Sequence, residues 1–120
     1  MKNRLKVENR REYLCCEFSG EFTVSAGKEC VDEMIAACAE KDCSRALLDC
    51  RQMSGEMSVI DRYEVVTYAQ KTRDITNRIA ILVREDQMLQ DKFAENVGVN
   101  RGIGLQVFTD VDQATSWLEE

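Results

Sequence analysis

Apolar and polar positions alternate near the amino terminus and then switch repeatedly between strand-like and helix-like periods. Leu5 and Val7 alternate with Lys6 and Glu8, which predicts a short strand, and Asn9–Glu12 is a polar turn. Leu14, Cys16 and Phe18 share one face of a second strand over Tyr13–Phe18, so the two strands form a hairpin. Thr23 is a candidate N-cap for a helix running to about Glu40. Val24, Gly27, Val31, Met34, Ile35 and Cys38 fall on its inward face, where Gly27 suits close approach to a strand.

Ala46-Leu47-Leu48 has the unbroken apolar character of a parallel strand covered on both faces. A polar loop, Asp49 to Met57, follows, and Ser58 caps a helix over about Val59–Arg73. Val59, Tyr63, Val66, Ala69 and Gln70 make its inward stripe. Val65 and Tyr68 fall on the opposite side, beside Asp61 and Glu64, as an exposed apolar pair. Ile79–Val83 reads as another central strand, and Asp86 caps a helix with Leu89, Phe93, Ala94 and Val97 inward and Gly98 at its C-cap. Leu105–Thr109 is the last strand. Asp110 and Gln113 open a final helix whose Val111, Ala114, Trp117 and Leu118 dock on the sheet.

The alternation predicts a single α/β domain over residues 1–120. Its sheet is mostly parallel and five-stranded, with an antiparallel N-terminal edge strand and about four helices. In such a sheet, ligands and partners gather at the carboxyl ends of the strands. The Asp49–Ser58 stretch is therefore the first candidate site.

Composition narrows the chemistry. Sixteen Lys and Arg against 22 Asp and Glu give a net charge of −6, which disfavours nucleic acid and membrane surfaces. No apolar run approaches the roughly 20 residues of a membrane helix. The cationic start has no apolar segment behind it, so a cytoplasmic location is expected. Five cations against Glu8 in the first eleven residues suit an edge strand kept from aggregating. Histidine is absent, which removes Ser-His-Asp and Cys-His catalysis and any His metal site.

The six cysteines read as reduced, small hydrophobes. The spacings Cys30-x7-Cys38, Cys38-x4-Cys43 and Cys43-x6-Cys50 lack a zinc knuckle, so no metal is expected. Cys50 stands beside Arg51, whose cation would lower a thiol pKa; a thiol-dependent enzyme or redox protein is one alternative. Asp49 and Glu56 are a candidate acid/base pair, against the simpler case of Asp49 shaping the loop through Arg51 or the backbone. Gly98 to Gly104 looks like a phosphate loop, but it follows a helix and feeds a strand, the reverse of a phosphate cradle.

Phe18-Ser19-Gly20 with Glu21-Phe22-Thr23, Ala46–Arg51, Arg78–Val83, Val107–Asp110 and Ala114–Leu118 occur in an order and spacing that resembles the SpoIIAA-like branch of the STAS family, the anti-sigma-factor antagonist fold. The resemblance implies a non-enzymatic regulatory or protein-interaction module without a cofactor, binding a protein partner or a second copy of itself. Regulatory members of that family carry an Asp-Ser-Ser-Gly-type motif whose serine is phosphorylated. Here Ser58 lies near that place and Ser54-Gly55 carries part of the pattern, so Ser58 and Ser54 are candidate phosphorylation sites although the motif is absent. The candidate binding surface is Asp49, Cys50, Arg51, Ser54, Ser58, Val65 and Tyr68. A small apolar-ligand carrier, binding under the Asp49–Ser58 loop, is the other alternative.

Overall fold

Strand β2 (Leu14–Glu21) alternates buried and open positions along its length, as a strand does when one face meets a helix layer. In the computed structural model, which describes residues 4–10, 12–55, 58–72, 74–87, 102 and 104–120, it lies between β1 (Arg4–Asn9) and β3 (Arg45–Ser54). β1 pairs with it antiparallel, and β3, β4 (Arg78–Leu82) and β5 (Leu105–Phe108) follow in parallel. The described residues thus form a single α/β domain on a four-stranded parallel sheet, β2 to β5, with β1 along its outer edge.

Three α-helices stand among the described residues: α1 (Val24–Glu40), α2 (Val59–Tyr68) and α3 (Val111–Glu119). The expected helix from Asp86 to Gly98 falls largely outside them. At its expected start, Glu85–Gln87 is a 3-10 turn, and Asp86 pairs with Arg84 at 3.0 Å. A second 3-10 turn, Ala69–Thr72, replaces the last turn expected of α2.

Alternation along the strands sends side chains to two layers. Leu14, Cys16, Ala46 and Ile79 meet Met34, Cys38 and Val66 on the α1–α2 side. Leu47, Ala80, Leu82 and Phe108 meet Ala114 and Leu118 of α3 on the other. Thr23, Ser58 and Asp110 cap the three helices, each side chain accepting a backbone N–H. The guanidinium groups of Arg45 and Arg78 reach the Leu118 and Trp117 carbonyls at the end of α3, where cations meet the negative end of the helix dipole. Val111, expected inward, is 42% exposed.

Two glycines fit close contacts. A Cβ on Gly27 would lie 2.9 Å from a Val65 methyl, so this glycine admits α2 to α1 and not the strand expected from sequence. A Cβ on Gly104 would lie 2.1 Å from the Asn77 carbonyl oxygen. That close approach lets the Gly104 carbonyl accept the Ile79 N–H at 2.7 Å.

Candidate functional site

The stretch expected to be a loop from Asp49 onward is strand as far as Ser54. It stays strand because β2 also runs on, through the Ser19–Glu21 segment, and pairs with it to the end. The pairing slips once. Glu17 faces Asp49 and Ser19 faces Gln52, so β3 uses one residue more than β2 over that interval, a β-bulge. The bulge explains why Cys50 and Met53, three apart, both face the α1–α2 core.

Asp49 secures the bulge. Its carboxylate accepts the Arg51 N–H at 3.1 Å and the Arg51 side chain at 3.0 and 2.9 Å. Asp49 is 8% exposed, and its hydrogen bonds hold Arg51 firmly protonated. The Arg51 fork is thus committed to Asp49. Cys50 is buried in the core, where free cysteines behave as structural hydrophobes. The Asp49–Arg51 pair also lines a groove of about 380 Å³ on the α3 side of the sheet, with Cys15 and Glu17.

β4 stops opposite Asp49, leaving Cys50–Ser54 without a neighbouring strand on that side. Two side chains stand in for it. Arg84 donates to the Arg51 and Met53 carbonyls at 2.6 and 3.1 Å, and Gln87 donates to the Cys50 carbonyl at 3.3 Å. Gln87 in turn accepts the Arg84 N–H at 2.7 Å. Neither residue was singled out from sequence, where each is one polar residue among many.

Ser54 ends β3 exposed, its carbonyl taking the Phe22 N–H at 2.9 Å. Ser58 is exposed, and its hydroxyl accepts the Asp61 N–H at 3.1 Å. Glu56, the other half of the candidate acid/base pair, lies outside the described residues.

α2 is turned relative to its expected orientation. Arg62, Val65, Val66 and Ala69, spaced i, i+3, i+4, i+7, face α1 and the sheet, while Ile60 is 77% and Tyr63 42% exposed. Val65, expected outside, packs on Gly27. Tyr68, also expected outside, is half-buried and bonds Asp32 of α1 at 2.8 Å. The buried Arg62, its guanidinium 5.3 Å from the Phe22 ring centre, is what hid this stripe, because a charge at its head reads as an outward position. Gly27 was the available signal, since a close helix approach needs a packing residue opposite it.

Beneath β3 and α2 lies an apolar cavity of about 100 Å³, lined by Phe22, Cys50, Met53, Arg62 and Val65 among others. No helix among the described residues is long and apolar enough to cross a membrane.

No family model matches the chain, and no curated protein matches it. Solved structures do. One is an uncharacterized protein of the DUF3478 family with a SpoIIAA-like fold from Shewanella loihica PV-4, at TM-score 0.63 and 19% identity, covering 97% of this chain and 93% of that one. Another is an anti-sigma factor antagonist from Mycobacterium paratuberculosis, at TM-score 0.66 and 13% identity, covering 99% of this chain and 96% of that one. With the strand order and helix placement above, these likenesses show that the chain has the SpoIIAA-like (STAS) fold.

Proposed function

We propose that the chain is a non-enzymatic regulatory module that docks a partner protein on the outer face of α2. The observation that carries this is the pair Ile60 and Tyr63. They stand one helical turn apart and exposed, directly after the Ser58 cap. Large apolar side chains grouped outside the core mark contact surfaces. A structural neighbour is an anti-sigma factor antagonist, and we extend that class of partner, a regulatory protein, to this chain. The commitment of Arg51 to Asp49 supports a role without thiol catalysis. Six free cysteines fit the reducing cytoplasm. Ser54 and Ser58, both exposed, precede this helix face in the chain.

The test is affinity capture from native extract with the wild-type chain and with Ile60→Ser/Tyr63→Ser, after circular dichroism confirms that both are folded. A partner lost only from the variant supports docking on α2. An unchanged set of captured proteins overturns it. Sedimentation of the wild-type chain and of Ile60→Ser/Tyr63→Ser at two concentrations shows whether a second copy occupies the same face.

The apolar cavity favours a second function, carriage of a small apolar ligand. An apolar cavity of about 150 Å³ holds a molecule the size of benzene; at about 100 Å³ this one would take a cargo smaller than that ring, such as a short chain. Native mass spectrometry of freshly purified protein decides this, and a bare mass removes it.

A further inference from the structure

α1 ends in a Schellman turn. Asp42 is left-handed, with φ 51°. The Cys43 N–H donates to the Cys38 carbonyl at 2.9 Å, and the Asp42 N–H points to the Ala39 carbonyl at 3.4 Å. These two bonds define the motif, and its usual companion is a side-chain contact between the residues joined by the longer bond. Here both are cysteines. They share one core cluster, Cys38 at 1% exposure and Cys43 partly buried against it. The backbone bond between them draws their Cα atoms toward the roughly 4.4–6.8 Å that a disulfide spans. Cys43 is the more accessible thiol, and it donates to the Arg45 carbonyl at 3.2 Å.

We propose that Cys38 and Cys43 form an oxidative modification site, closed to a disulfide across the helix cap by a hydroperoxide. The Cys43 thiolate attacks hydrogen peroxide and the O–O bond breaks. Cys43 becomes a sulfenic acid, and the departing hydroxide takes up a proton as water. The Cys38 sulfur then attacks the Cys43 sulfur and loses its proton. The S–O bond breaks, and hydroxide leaves with that proton as a second water. Two thiols and one peroxide give one disulfide and two waters, the two electrons passing from sulfur to oxygen.

The second step is held back at Cys38. Burial pushes the Cys38 thiol up to about 11, so its thiolate is scarce at neutral pH. Cys16, fully buried on β2, belongs to the same cluster and is the competing partner for Cys43.

Trypsin separates the candidates. Cleavage after Arg11, Lys28, Lys41 and Arg45 leaves Cys43 in the peptide Asp42–Arg45, Cys38 in Glu29–Lys41 and Cys16, together with Cys15, in Glu12–Lys28. The full chain is treated with hydrogen peroxide, alkylated and digested without reductant, in a Cys30→Ala background because Cys30 shares the Cys38 peptide. Asp42–Arg45 joined to Glu29–Lys41, released by reductant and retained within about twofold in Cys16→Ala, supports the site. Asp42–Arg45 joined to Glu12–Lys28, or recovered alkylated or as sulfinic acid with no linked species, overturns it. The map is read on a chain with both thiols in place, so it does not depend on folding of a Cys38 variant.

Discussion

Tyr68 donates its hydroxyl to the Asp32 carboxylate, 2.8 Å from each oxygen, and so ties the last turn of α2 to the middle of α1. Lys71 joins them at 3.0 Å from Asp32 and lies 4.3 Å from the centre of the Tyr68 ring. The hydroxyl first, then the ammonium, holds the Asp32 carboxyl below the usual carboxylate range. A lowered carboxylate pKa contributes stability above its unfolded value, near pH 3.9, and that contribution fades as pH falls through the folded value. Tyr68→Phe removes the larger cause. The Asp32 titration, followed by NMR, is expected to move upward toward the unperturbed value, with the fold intact at neutral pH. An unmoved titration would show that Lys71 alone sets it.

The buried thiols give the opposite pH dependence. Burial pushes Cys16 and Cys30 up to about 12 and Cys38 up to about 11. Raised values stabilise the neutral form in the fold, so the contribution is complete below the unfolded thiol pKa of about 8.5 and is lost as pH rises above it. Urea unfolding midpoints are expected to fall between pH 7.5 and 9.5. In Cys30→Ala the fall should be shallower, because one fewer thiol is released to ionise.

Arg84 and Gln87 replace a strand beside Cys50–Ser54, and the replacement is testable apart from function. Arg84→Met leaves the Arg51 and Met53 carbonyls without their donor. A loss of about 1 kcal/mol is expected in denaturant unfolding. Amide exchange should quicken in the Cys50–Ser54 half of β3 more than in the Arg45–Asp49 half.

Gly104→Ala places a methyl 2.1 Å from the Asn77 carbonyl oxygen, and backbone cannot move aside as a side-chain tip can. The expected cost is at least about 1–3 kcal/mol, read as a lowered Tm. Wild-type stability in this variant would mean that the β4–β5 crossing is looser than the Ile79–Gly104 bond indicates.

Ser58→Ala removes the α2 cap and is expected to cost about 1 kcal/mol, whereas Ser58→Asp retains an acceptor at the cap and should cost little. Partner capture with the two variants then separates roles. Loss of the partner with Ser58→Asp at unchanged Tm marks a charge-sensitive docking site. Retention in both marks Ser58 as a cap alone.

The alternation of strands and helices, the caps at Thr23, Ser58 and Asp110, and the resemblance to a SpoIIAA-like domain are legible in the amino-acid order alone. These are local features: periodicity and capping depend on residues within a turn or two of each other. How far β3 runs and which way α2 faces are set by contacts between separate elements. β3 continues past Asp49 because β2 continues beside it, because Asp49 takes the Arg51 N–H two residues on, and because Arg84 and Gln87, distant in sequence, satisfy the carbonyls that pairing leaves open. α2 turns Val65 inward because Gly27 leaves space for it and the Phe22 ring receives Arg62. Ile60 and Tyr63 are exposed as the remainder of that packing, so the surface proposed for docking was fixed by contacts on the opposite side of the helix.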